Sequence, residues 1–167
     1  MNRHLFLVGF MGSGKSAVGR QLADLLGRPW VDTDHEVEAH AGARIAQIFL
    51  VSGEASFRTL EREVLDGLAA LPPSVVSTGG GLMLCHANRL RLRELGTTIW
   101  LDVPAAVVER RLGLDVSRPL WSGLDPDGRR ALFERRRALY ALADLRVAAG
   151  SAEPAEVARW VAGKLRG

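Results

Sequence analysis

Eight residues, Gly9-Phe10-Met11-Gly12-Ser13-Gly14-Lys15-Ser16, carry the strongest chemical signal in the chain. Glycines at 9, 12 and 14 let the backbone curl without β-carbon clashes, so that successive N–H groups can point at one anion. A lysine in the place of Lys15 reaches the β- and γ-phosphates of a nucleotide, and a hydroxyl in the place of Ser16 can ligate Mg²⁺. A glycine-rich turn alone would say little, because tight turns collect glycine for structural reasons. Here the pattern follows the apolar run 5–8 and precedes the helix-like stretch 17–26, the setting in which a phosphate sits on a helix N-terminus. Gly12, Ser13, Gly14, Lys15, Ser16 and Ala17 are therefore the expected phosphate-side contacts, with Lys15 catalytic and Ser16 a metal ligand.

Two more polar clusters follow apolar runs. Asp32-Thr33-Asp34 comes directly after Trp30-Val31. On an extended chain end, side chains two residues apart face the same way, so the two carboxylates could jointly serve a metal and a hydroxyl. Asp34 also reads as a helix N-cap. A kinase that moves a γ-phosphoryl group to a hydroxyl needs metal support and a carboxylate near the acceptor oxygen, and this pair offers both. Thr78-Gly79-Gly80-Gly81 follows the run 75–77. Three glycines together permit close backbone approach to a flat or anionic group, or else a tight bend that frees space for the next helix.

Further along, Arg58 and Glu61 are three apart behind Gly53-Glu54 and Phe57, and so share one helix face. That spacing suits an ordinary surface ion pair and equally a guanidinium held ready to fork onto a carboxylate. Arg118-Pro119 could bring positive charge to a transferring phosphoryl group. Arg135, Arg136 and Arg137 project about 100° apart on a helix, so one of them at most can aim at a site and the other two read as surface charge. The four histidines lack metal-ligand spacing, and Trp30, Trp100, Trp121 and Trp160 read as packing.

Short apolar runs alternating with longer helical patterns predict a parallel α/β sheet covered on both faces. Strands are expected at 5–8, 30–31, 75–77, 98–101 and 145–147, and helices at 15–26, 34–41, 45–50, 54–70, 87–94, 104–112, 127–143 and 154–165. In such sheets ligands gather beyond the carboxyl ends of the strands, which is where the three clusters lie. Residues 114–125, with Arg118-Pro119, Ser122-Gly123 and Asp125-Pro126, have no periodicity and read as a long lid-like loop.

The 167 residues suit one domain, 1–167, and 47% hydrophobic with 25% charged residues is ordinary for a globular protein. Net charge is only +3 although the pI is 9.7, because Lys15 and Lys164 are the only lysines and arginine carries the rest. A lone cysteine, Cys85, excludes an internal disulfide and fits a reducing compartment, so the cytoplasm is expected. The N-terminal apolar run is too short to span a membrane and leads straight into the glycine loop, and no membrane association is expected. Nor is nucleic-acid binding, for want of a basic surface interleaved with aromatics. A monomer is expected.

Taken in order, Gly9-x4-Gly14-Lys15-Ser16, Asp32-Thr33-Asp34, Gly53-Glu54 with Phe57-Arg58 and Glu61, Gly79-Gly80-Gly81, Arg118-Pro119-Leu120 and Arg136-x-x-Leu139-Tyr140 resemble the shikimate kinase family across nearly the whole chain. The resemblance implies a three-layer αβα P-loop fold with strand order 2-3-1-4-5, an acceptor-binding segment at about 33–61 and a lid at about 113–126. It implies transfer of the γ-phosphoryl group of ATP to the 3-hydroxyl of shikimate, with Mg²⁺ as cofactor and ATP and shikimate as the partners. Lys15 and Ser16 then resemble the phosphate and metal ligands, Asp32 the outer carboxylate on the metal, and Asp34 the group that takes the acceptor's proton. Arg58, Gly79, Gly80, Gly81 and Arg136 resemble the shikimate contacts, with the arginines on its carboxylate and Glu61 orienting Arg58. Arg118 resembles an arginine that reaches the phosphates, and Arg111 one that stacks on adenine. Ala17, Trp121 and Ala138 depart from the family's usual residues.

Overall fold

A computed structural model of the chain describes residues 3–113, 121 and 123–166. The element order begins with β1 (His4–Val8), α1 (Lys15–Leu26), β2 (Trp30–Asp32), α2 (Thr33–Ala41) and α3 (Ile45–Gly67). It continues with β3 (Val75–Ser77), α4 (His86–Leu95), β4 (Gly96–Asp102), α5 (Ala105–Leu112), α6 (Pro126–Tyr140), β5 (Leu145–Ala148) and α7 (Pro154–Lys164). The strands form one sheet in the order β2-β3-β1-β4-β5, every neighbouring pair parallel, with helices on both sides.

Parallel strands covered on both faces need unbroken apolar runs. Leu5, Phe6, Leu7 and Val8 of central β1 and Val75 and Val76 of β3 are accordingly buried. Pairing of Leu7 with Ser77 and of Val31 with Val76 brings the carboxyl ends of β1, β2 and β3 to one edge of the sheet. There the three polar clusters become neighbours. Helix α1 lies so close to this sheet that a β-carbon on Gly19 would strike Ser77 Oγ and come within 2.7 Å of Trp30 Nε1. A smaller core of Val37, Ile48 and Phe57, backed by Phe49, holds α2 against α3 apart from the main one.

Several boundaries move from their expected places. The expected helices 45–50 and 54–70 are the two segments of α3, separated as expected by non-helical backbone at Gly53 (φ 79°, ψ 174°), but the second ends at Gly67 and gives way to a 3₁₀ turn at Leu68–Ala70. Helix α6 stops at Tyr140 rather than 143, because Ala143 N–H turns back to the Tyr140 carbonyl at 3.0 Å. Strand β4 is longer than expected and gains Gly96, Thr97 and Asp102. The proposed lid falls mostly on residues 114–120 and 122, outside the described residues, and Arg118 with it. Trp121 packs as expected: it is buried, with its ring edge-on to Phe10 at 5.7 Å between centroids.

Candidate active site

Gly14, at φ 89°, turns the chain from the loop into α1, whose first residues are Lys15 and Ser16. Only a residue without a β-carbon takes this left-handed conformation at little cost. The buried Lys15 ammonium donates to the carbonyls of Gly9 and Phe10, both at 2.9 Å, and so lies across the mouth of the loop. A helix N-terminus and an ammonium held over it make a local field that favours polyanions. Ser13 Oγ is buried without a hydrogen-bond partner.

Ser16 Oγ donates to Asp32 Oδ2 at 2.6 Å, and Asp32 Oδ1 accepts the Asp34 backbone N–H at 3.1 Å. Asp32, not Asp34, is therefore the N-cap of α2. The extended-chain argument for the two aspartates fails here, because the strand ends at Asp32 and Asp34 already stands in the first helical turn. A hydroxyl and a carboxylate, both hard oxygen donors, fit Mg²⁺, which keeps several waters and takes few protein ligands. Among the described residues no three His, Cys, Asp or Glu side chains cluster as an all-protein metal cage would need.

The three glycines after β3 are the hub of the site. A β-carbon on Gly79 would collide with the Asp34 carboxylate and lie 3.3 Å from Glu61 Oε1. One on Gly81 would strike the Arg58 guanidinium, and one on Gly80 would sit 4.0 Å from Arg136 Nη1 and 3.5 Å from Met11 N of the phosphate loop. Two carboxylates and two guanidinium groups thus converge on a turn that also touches the nucleotide loop. Thr33 Oγ1 fixes that turn by accepting the Gly79 N–H at 2.8 Å.

Arg58 Nη1 donates to Glu61 Oε2 at 2.9 Å, which bears out the expected pairing. Burial is the largest influence on both groups. It pushes the Glu61 carboxyl above its ordinary range, and the Arg58 hydrogen bond and charge offset this only in part, while the Asp34 charge adds to the rise. In Arg58 burial pulls downward, but Glu61 and Glu54 together outweigh it and the guanidinium stays charged. Glu61 Oε1 is buried without a partner. Arg136 is buried over the Phe10 ring at 5.7 Å, whereas Arg135 is exposed. Arg137 keeps its side chain 43% exposed, in line with the expected surface charge, while its Nη2 reaches the buried Asp102 carboxylate at 3.5 Å.

On the other side of the loop, a cleft of about 340 Å³ runs between Gly12, Ser13, Gly14 and Ala17 and the apolar Ala149, Ala152 and Val157. Arg111 borders it and donates to the Gly12 carbonyl at 3.2 Å. A flat base would find small apolar walls and a guanidinium there. Tyr140 is read from the sequence only as the end of the Arg136-x-x-Leu139-Tyr140 motif, with no role assigned. Its hydroxyl donates to the Gly80 carbonyl at 2.6 Å, and burial pushes its pKa up to about 12. The signal was its position four residues after Arg136, on the same face of α6.

A sequence model of the shikimate kinase family matches residues 11–166. The shikimate kinase of Persephonella marina is 41% identical over 164 residues, covering 98% of this chain and 99% of its own. That of Symbiobacterium thermophilum is 52% identical over 143 residues, covering 84% of this chain and 82% of its own. Among solved structures, the shikimate kinase from Acinetobacter baumannii in complex with shikimate is 34% identical with a TM-score of 0.91, covering 99% of this chain and 94% of that one. Motif order, sheet topology and likeness over nearly the full length agree, and the chain belongs to the shikimate kinase family.

Proposed function

We propose that the chain transfers the γ-phosphoryl group of ATP to the 3-hydroxyl of shikimate, giving shikimate 3-phosphate and ADP. The observation that carries this reading is the glycine turn at 79–81, which touches Asp34, Glu61, Arg58 and Arg136 on one side and Met11 of the phosphate loop on the other. An acceptor seated there lies next to the donor, and positioning of this kind is most of what phosphoryl transfer requires.

In this assignment Arg58 and Arg136 fork onto the acceptor's carboxylate, with Glu61 orienting Arg58 and Tyr140 bracing the turn beside Arg136. The backbone of Gly79, Gly80 and Gly81 lines the ring. Asp34 takes the proton of the hydroxyl as its oxygen attacks the γ-phosphorus and the bond to the departing ADP oxygen breaks. The loop N–H groups of Gly12 to Ser16 hold the phosphates, and Lys15 turns from its loop carbonyls to stabilise their developing charge. Ala17 and Arg111 border the cleft for the base. Arg118 is assigned to the phosphates on the family resemblance alone. Ser16 and Asp32 would hold Mg²⁺, Asp32 as the outer carboxylate, and the ion when bound would neutralise charge on the β- and γ-phosphoryl oxygens.

Phosphorus NMR of the product from ATP and shikimate tests the regiochemistry. One new phosphomonoester signal coupled to the proton on the 3-carbon is expected. A signal coupled to another ring proton would refute the placement of Asp34, and inorganic phosphate alone would refute the acceptor site.

A further inference from the structure

We infer that Glu54 is an internal competitor for the acceptor's carboxylate: it occupies the Nε and Nη2 edge of Arg58, on which that carboxylate forks, and has to be displaced on binding. The inference rests on the assignment of Arg58 to that carboxylate. Arg58 Nε and Nη2 both donate to Glu54 Oε1, at 3.3 and 3.0 Å, while Nη1 donates to Glu61 Oε2 at 2.9 Å. The Nε and Nη2 edge is one on which a carboxylate forms two parallel charge-assisted bonds. Glu54 fills it with a single oxygen shared between both donors, a poorer match than a ligand that presents two oxygens in register.

The two acidic partners differ in how firmly they are held. The Glu61 side chain is 2% exposed and the Glu54 side chain 63% exposed. Glu54 follows the backbone break at Gly53, and so stands in the first turn of the segment that carries Arg58 one turn later. It can swing into water at little cost, because exposed pairs four apart on a helix are weak. Glu61 is buried and stays. Until it is displaced, Glu54 keeps the Nε and Nη2 edge of the guanidinium paired, and lowers the affinity for the acceptor by the strength of one exposed ion pair.

Calorimetric titration of shikimate into the ADP-loaded full chain tests this. Glu54→Gln is expected to bind shikimate about two- to five-fold more tightly, the range that an exposed pair allows, with ADP affinity and melting temperature unchanged as controls. Glu54→Ala should move the same way. In an Arg58→Lys background, where the fork is gone, Glu54→Gln should bring no gain. Equal or weaker binding by both Glu54 variants, with Arg58→Lys still weakening shikimate, overturns the inference and leaves Arg58 in place. If Arg58→Lys itself leaves shikimate affinity unchanged, the assignment of Arg58 falls and the competitor with it.

Discussion

Asp34 lies against the glycine turn with its backbone N–H on Asp32, and its carboxylate is close enough to Glu61 to raise that group's pKa. Replacing it with asparagine keeps the shape and removes the proton acceptor, so kcat should fall by roughly 10² to 10⁴ with ATP affinity and melting temperature little changed, as steady-state kinetics and thermal melts would report. Survival of kcat within a few-fold would return Asp34 to a purely structural place in α2. Arg136→Lys keeps the charge but loses the planar two-donor fork. The KM for shikimate should rise by about 10- to 150-fold, the worth of a charge-assisted hydrogen bond, with the KM for ATP spared. Lys15, Arg58 and Glu61 could be read from the sequence because local spacing alone brings each to its partner, whereas Ser16 meets Asp32 across sixteen residues. The distinct parts of Asp32 and Asp34 came only with the family resemblance, and the reading of Asp34 as N-cap failed, since which aspartate caps α2 depends on where the strand stops.

At the scale of elements, the close approach of α1 to β2 and β3 depends on Gly19. Gly19→Ala places a methyl against Ser77 Oγ and Trp30 Nε1 and is expected to destabilise the fold by about 1–3 kcal/mol, as overpacking does, measured by denaturant unfolding. In the second half of α3, Glu61 gives a dependence on pH. Its carboxyl is raised above 4.5 by burial, so between that value and its folded pKa the native state holds more protons than the unfolded one. The wild type therefore loses stability through this group as pH rises across that window, and a glutamine does not. The melting temperature of Glu61→Gln relative to wild type should be more favourable at pH 7 than at pH 4; a gap that stays constant or moves the other way contradicts the burial argument. Helix and strand identities were legible from periodicity, and most boundaries moved by one to three residues. The break between the two helical segments of α3 was legible too, because it falls at Gly53, whose φ of 79° only a glycine takes at little cost.

The molecule as a whole places the donor loop on β1, the glycine turn on β3 and the two aspartates at the end of β2, three neighbouring strands whose carboxyl ends share one edge. No periodicity in the chain reveals that order; it came only with the family resemblance, and the sheet bears it out. The small core of α2 and α3 stands apart from the main one, so the segment that carries Asp34, Arg58 and Glu61 is anchored by its own contacts. With a net charge of only +3, the proposed function assigns attraction of anionic ligands to placed groups such as Lys15, Arg58 and Arg136 rather than to the overall field. The central claim is that these groups serve a cyclic carboxylate as phosphoryl acceptor. The most direct measurement is coupled ADP release from Mg-ATP over a panel of hydroxy acids that includes shikimate and gluconate. Release that shikimate accelerates far above the background with ATP alone, and that gluconate does not, is the expected result; a rate indifferent to shikimate, or one driven better by gluconate, would contradict it.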